Sequence, residues 1–339
     1  MEQFFKLFSD CIPVRGIGRG VICDLSQQRY RFIPLELFDV LALADKFSIY
    51  TLNQMFPDVE LFLNLFIKEN YGFLCDENEL SMFPKLSMEF KTPSYINNAI
   101  IDIVDYNNQK NNIAKFISEV DILGCEALQI RSYTYFDQFN LGDLISLINK
   151  SNISYIELVL KYKNLYETDE FGDFYLKNSK IRSIIIHSSP DNRHTYFNTD
   201  GHGDLVFITE VINDNSHCGV VDSSIFNINI KMFTESLSFN SCLHKKIALD
   251  NDGFIKMCPS MKENFGHIHN TKLSGVIGKK KFIEMGNLTK DQISVCNVCE
   301  FRYICTDCRA FVATEDDIYS KPAKCNYDPY SQTWNNSNI

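Results

Sequence analysis

The chain has 339 residues, 45% of them hydrophobic, and a formal net charge of −10. A chain of this length and composition buries a substantial core, fits two or three domains and is not disordered. The acidic balance, with no Lys/Arg stripe beyond the short Lys279–Lys281 run, argues against a nucleic-acid binder held by phosphate contacts.

The start, MEQFFKLFSDCIPVRG, lacks a basic segment followed by a long apolar stretch, and no window approaches eighteen apolar residues. Neither export nor a membrane span is expected, and the chain reads as cytoplasmic. In that reducing setting its twelve cysteines are better read as metal or cluster ligands than as a disulfide framework. The Lys279–Lys281 run reads as a solvated turn.

Residues 1–90 open with the glycines Gly16, Gly18 and Gly20 of RGIGRG, a turn before a strand rather than a nucleotide loop, which needs a strand–turn–helix context. GVICDL and YRFIP, joined by Ser26-Gln27-Gln28, predict a β-hairpin. Pro34 starts a helical pattern through Leu37, Val40, Leu41 and Ala44; a second carries Phe62, Leu65 and Phe66, and a small apolar return follows at Tyr71–Leu74. This order of elements resembles the small winged-helix-type, PqqD-like leader-peptide clamp by which peptide-maturing enzymes recruit substrate. A generic α+β cap is the other reading.

Residues 91–235 change character. Apolar, β-rich runs NAIIDIV, EALQIRS, SYIELVL, RSIIIHS and DLVFITEV recur at about one β-α unit. Helix patterns fill at least two gaps, through Ile113, Phe116, Ile117 and Val120, and through Leu144, Ile145, Leu147 and Ile148. Near-continuous apolar strands alternating with amphipathic helices predict an α/β fold with a parallel sheet, open or closed into a partial barrel. Pro93 and the polar stretch Asn107–Asn112 read as the clearest loops, and Cys125 as packed core at a helix-to-strand junction. Asp200, His202 and Asp204 of DGHGD read as a loop ending rather than an acid–base or metal site.

Residues 236–339 hold the cysteine-rich run Cys296-x2-Cys299-x5-Cys305-x2-Cys308, with Cys325 after it and Cys242 and Cys258 before it. A zinc ribbon separates its two Cys-x2-Cys knuckles by about fifteen to twenty residues so that each sits on its own hairpin. Five residues are too few. Four thiolates in an irregular loop around one zinc ion remain an alternative, but iron–sulfur clusters account for the outlying cysteines too, because cuboidal clusters take four thiolates and draw some from elsewhere in the chain.

The pattern Cys242-x10-Gly253-x4-Cys258, then the run through Cys308, then Cys325, resembles the seven-cysteine SPASM domain, the auxiliary-cluster extension of radical S-adenosylmethionine peptide-modifying enzymes. The usual pattern has three residues before the position of Cys308; here Thr306-Asp307 gives two. SCLHKKIALDNDGFIKMCPSM and CNVCEFRYICTDCRA resemble the SPASM-bearing maturases of grasp-with-spasm systems, which occur beside an ATP-grasp ligase and a precursor peptide.

The resemblance implies two [4Fe–4S] clusters, one on Cys296, Cys299, Cys305 and Cys325 and one on Cys242, Cys258 and Cys308. The fourth ligand of the second is left between Cys218, a histidine such as His244, and an open site. Cys218 also reads as a buried cysteine without that role, and His267 and His269 of GHIHN as a solvated turn.

The fold implied is a partial radical-SAM-like (β/α) barrel, flanked by an N-terminal winged-helix-like clamp and a C-terminal SPASM domain. Radical enzymes hold their catalytic cluster with Cys-x3-Cys-x2-Cys after the first barrel strand. Here that stretch is DYNNQKNNIAK, without cysteine, and the turn after the second strand is RSYTYF, without glycine. The expectation is therefore a peptide-maturation component that binds a ribosomal precursor and acts with an ATP-grasp ligase, without S-adenosylmethionine as cofactor. The rival is a redox enzyme in which an open-site cluster binds peptide directly, and a plain zinc protein is a third reading.

Overall fold

The computed structural model describes residues 2–196 and 203–335. Their contacts form two compact units that interleave along the chain: Met1–Phe90, Val220–Ser241 and Leu288–Ile339 make one, Lys91–Gly219 and Cys242–Asn287 the other. Residues 1–90 thus stay within one unit, while 236–339 contribute to both.

In the first unit, β1 (Gln3–Leu7), β2 (Cys11–Arg15), β3 (Gly20–Asp24) and β4 (Arg29–Ile33) precede α1 (Leu35–Leu43), α2 (Ile49–Met55), α3 (Val59–Lys68) and β5 (Gly72–Asp76). The predicted hairpin is β3–β4, antiparallel with Asp24 opposite Arg29, and β2 extends it to three strands. Asp24 Oδ1 accepts from the Gln27 amide at 3.0 Å, and Gln28 takes φ +54° to close the turn. The glycines at 16–20 form the β2–β3 connection, where the Gly16 amide donates to Arg19 O at 2.8 Å.

Two features depart from the sequence reading. The start of the chain is a strand, β1, paired antiparallel with β5. Along α3 the buried residues are Val59, Leu63 and Phe66, while Phe62 is exposed. The apolar stripe starts at Val59, so spacings of four and seven select Leu63 and Phe66 and leave Phe62 outside it.

Val14, Val21, Cys23 and Leu25 of β2, β3 and the turn pack in one apolar cluster with Phe301, Ile304, Cys305 and Tyr327. Residues 1–90 therefore share a core with the cysteine-rich run.

The second unit contains β6 (Asn98–Ile103), α4 (Tyr106–Ile122), β7 (Ala127–Ser132), α5 (Gln138–Asn149), β8 (Tyr155–Lys161), α6 (Asp169–Lys177), β9 (Ile181–His187), β10 (Arg193–Tyr196), β11 (Asp204–Phe207), β12 (Lys246–Leu249) and β13 (Ile255–Lys256). They form one eight-stranded sheet in the order β10-β11-β9-β8-β7-β6-β12-β13. All neighbouring pairs are parallel except those of the edge strands β10 and β13. The fold is thus mixed α/β with a mostly parallel sheet, and each of the five predicted runs is a strand of it.

The Asn107–Asn112 stretch is helix, not loop. Asp105 caps α4, accepting from the Asn108 amide at 3.2 Å, and Tyr106, Gln109, Ile113, Phe116, Ile117 and Val120 bury one face, so the polar residues are simply its outer side. Lys279–Lys281 is likewise not a turn, because a short helix runs over Lys280–Gly286.

The strands are not apolar on both faces. Ala99, Ile101 and Ile103, Leu128 and Ile130, Ile156, Leu158 and Leu160, and Ile247 and Leu249 enter the core with the helices. The alternate positions carry Asp102, Gln129, Arg131, Glu157, Lys161 and Lys246, which the period of two places on the opposite face. Among the described residues no helix is long and apolar enough to cross a membrane.

Candidate metal centres

The four ligands predicted for one cluster belong to the first unit. A 3-10 turn over Cys296–Val298 starts the run, and Cys296 and Cys305 are buried while Cys299 and Cys325 are partly so. Cys296, Cys305 and Cys325 lie within electrostatic range of one another, and Cys299 within range of Cys305. Cys325 is brought there by a parallel bridge to Val221. Just before the turn, Val295 takes φ +69°, which costs a β-branched residue of order 1–3 kcal/mol and persists only where contacts on either side enforce it. Ser294 N to Tyr319 O at 2.8 Å and Asn297 N to Ile293 O at 2.9 Å supply them.

Burial pushes the Cys296 thiol up to about 12 and raises Cys299 and Cys305 as well. A bound metal would take these sulfurs as thiolates, displacing the thiol protons.

Nothing in the sequence marks Lys290 as part of this patch. Thr289 and Gln292 form a capping box around the short turn Lys290–Gln292, which turns the lysine inward until only 5% of it is exposed. Its Nζ donates to Cys305 Sγ at 2.8 Å. Burial depresses the ammonium, but Cys305, Asp307 and Cys296 together outweigh that and raise its pKa.

Asp307 does not neutralise Lys290 alone. Its Oδ1 is 2.7 Å from Arg309 Nη2, both side chains being almost wholly buried, and its Oδ2 accepts from Asn240 Nδ2 at 2.7 Å. Glu300, also buried and beside Cys299, is engaged by Arg19 Nε at 2.7 Å, so neither buried carboxylate is left to Lys290 alone.

A buried charge is tolerated when it is paired, and neutral thiols pair an ammonium poorly. Ionised thiols would restore the balance. Four cysteines within electrostatic range of one another, with a buried ammonium on one sulfur, have the donor chemistry of a bound metal centre that would hold them as thiolates.

The second unit contains a smaller group. Lys246 on β12 donates from Nζ to Cys242 Sγ at 3.4 Å and is half-buried. Burial lowers its pKa, but Cys242, Cys258 and Cys218 reverse the sign. Cys258 is pushed up to about 11, by burial first and by Cys242 second. Cys218, one of three candidates for the missing ligand, is within electrostatic range of Cys258 and Lys246. Cys308, expected to complete that set, is a buried residue of the first unit. Among the described residues no group of three or more His, Cys, Asp or Glu side chains is already gathered as a metal-holding site.

The remaining candidates fall elsewhere. His267 Nε2 meets Asp252 O at 3.0 Å, and Nδ1 accepts from the His269 amide at 3.1 Å, so both ring nitrogens of the GHIHN turn are engaged by the backbone. Asp200 and His202 lie outside the described residues, while Asp204 opens β11 with Oδ1 3.1 Å from His194 Nε2. Cys125 is buried in the α4–β7 junction, and burial pushes its thiol to about 12.

A further buried constellation sits on the polar side of the sheet. Arg131 Nε donates to Asp102 Oδ1 at 2.7 Å, Tyr133 Oη donates to Asp102 Oδ2 at 3.0 Å, and His187 Nε2 lies 3.1 Å from Ser132 O. Its sequence signal is a charged residue at the polar phase of two otherwise apolar strands.

No family model and no curated protein matches the chain. Among solved structures it is similar to anSMEcpe with bound AdoMet and a Cp18Cys peptide, at 10% identity and a TM-score of 0.41, covering 70% of this chain and 95% of that one. It is also similar to Streptococcus suis SuiB bound to precursor peptide SuiA, at 12% identity and a TM-score of 0.36, covering 95% and 97% respectively. A SuiB structure bound to S-adenosylmethionine has 12% identity and a TM-score of 0.35, covering 94% of this chain and 97% of that one.

Proposed function

We propose that the protein is an iron–sulfur component of ribosomal-peptide maturation that binds a precursor peptide and acts with an ATP-grasp ligase, without cleaving S-adenosylmethionine. Cys296, Cys299, Cys305 and Cys325 would hold one [4Fe–4S] cluster, and Cys242, Cys258 and Cys308, with Cys218 as the fourth candidate, a second. When bound, such clusters supply one-electron redox capacity and cross-link the loops that carry their ligands. The observation that carries this reading is the buried Lys290 ammonium on Cys305 Sγ inside a four-cysteine patch. Ionised thiols beside it would balance an ammonium whose nearby carboxylate, Asp307, is shared with Arg309 and Asn240.

Peptide recruitment is assigned to residues 1–90, and the edge strand β4 offers a means. It pairs with β3 on one side, and among the described residues no strand pairs with its other edge. An extended peptide can add there through main-chain hydrogen bonds. Because β2 and β3 share a core with the cysteine-rich run, the test uses the full chain. Amides of β4 are expected to gain hydrogen-exchange protection when a leader peptide encoded beside this protein is added. Protection confined to the sheet unit would contradict the assignment.

The non-radical assignment rests on the stretch after β6. It runs straight into α4 through the Asp105 cap and offers no thiolate to hold a cluster with a free iron. Incubation with S-adenosylmethionine and dithionite is expected to give no 5′-deoxyadenosine above background, and turnover amounts would overturn the assignment.

A further inference from the structure

We infer that Lys290 is a built-in counter-charge for the cluster held by Cys296, Cys299, Cys305 and Cys325, and that through its hydrogen bond to Cys305 it raises that cluster's reduction potential. The inference rests on the reading of those four cysteines as cluster ligands.

Three observations converge on it. Lys290 is 5% exposed, so its charge is little screened by water. Its Nζ donates to a candidate ligand sulfur, Cys305 Sγ, at 2.8 Å. The nearby carboxylate, Asp307, is shared with the Arg309 guanidinium and with Asn240, so it offsets the lysine charge only in part and the rest acts on the cysteines.

A one-electron reduction adds negative charge to the cluster and its thiolates. A fixed ammonium beside them stabilises the reduced form more than the oxidised form, and an N–H···S bond withdraws electron density from the ligand sulfur. Both move the potential upward, as hydrogen bonds to sulfur and local charge do in iron–sulfur proteins generally. The Thr289–Gln292 capping box that turns the lysine inward makes it a positioning residue rather than a ligand.

The test is an EPR-monitored redox titration of the anaerobically prepared full chain, with iron and sulfide measured on every sample. Lys290→Met is expected to keep its iron but to shift the reduced-to-oxidised ratio at fixed potential at least tenfold toward oxidised, a fall of about 59 mV in midpoint. Lys290→Arg is expected to stay within that tenfold of wild type.

An iron-loaded Lys290→Met protein with an unmoved midpoint overturns the role of Lys290 while leaving the cluster reading intact. Wild-type protein with zinc and no iron overturns both. Where Lys290→Met fails to fold or to load iron, Lys290→Arg decides: wild-type iron content and midpoint support the counter-charge, and loss of both shows that lysine shape, not charge, is required.

Discussion

Arg131 of β7 and Asp102 of β6 form a 2.7 Å ion pair on neighbouring parallel strands, with the Asp102 side chain 1% exposed. Burial works against the Arg131 charge, but Asp102 outweighs it and holds the guanidinium above its ordinary pKa. Removing one partner leaves the other buried and uncompensated. Asp102→Asn is expected to cost about 3–5 kcal/mol in denaturant unfolding, and the double replacement Asp102→Leu with Arg131→Met markedly less than that. A loss under about 1 kcal/mol for Asp102→Asn would show that water reaches the pair.

His187 gives a pH dependence. Its ring is fully buried, Nε2 meets the Ser132 carbonyl at 3.1 Å and therefore carries the proton, and Nδ1 accepts from the Ile212 amide at 3.4 Å. Burial lowers its pKa below the ordinary 6.5. The unfolded chain then takes up a proton before the folded one does, so the stability due to the neutral ring is present above pH 6.5 and is lost as pH falls below it. Unfolding free energy measured against pH is expected to fall through that window, and His187→Asn to flatten the slope. An unchanged slope in the variant would assign the acid sensitivity to other groups.

Gly253, in the stretch between Cys242 and Cys258, has φ +85°, and a Cβ there would stand 2.5 Å from His267 Nε2 and 2.8 Å from Asn112 Nδ2. Gly253→Ala is expected to lose about 1–3 kcal/mol from left-handed strain and from displacement of the His267 ring, read as a lower thermal midpoint. Since φ is the main cause, Gly253→Asn should lose less than Gly253→Ala, although the larger side chain must still find room. Equal midpoints for wild type and Gly253→Ala would contradict the close approach.

What the sequence reveals is what local periodicity encodes. Ile113, Phe116, Ile117 and Val120 repeat at helical spacing and are buried on α4, and the five β-rich runs are five strands of one sheet. The Asn107–Asn112 stretch misleads because polar residues signal loops, whereas here an Asp105 cap and packing by Tyr106 and Ile113 extend a helix under a polar outer face. β12 and its parallel pairing with β6 depend on residues more than a hundred positions apart and leave no local trace.

The cysteine spacing singles out the candidate ligands, because thiolate ligation would constrain spacing. The lysines did not show. Lys290 and Lys246 look like surface residues in sequence, and only a capping turn and a strand register place their ammonium groups on Cys305 and Cys242.

The central claim is that the clustered cysteines hold iron–sulfur clusters, and metal and sulfide analysis of the anaerobically purified full chain tests it most directly. The account predicts a brown protein with up to about eight iron and eight sulfide per chain, most of it lost on Cys299→Ala together with a lower thermal midpoint. Stoichiometric zinc with neither iron nor sulfide would contradict it.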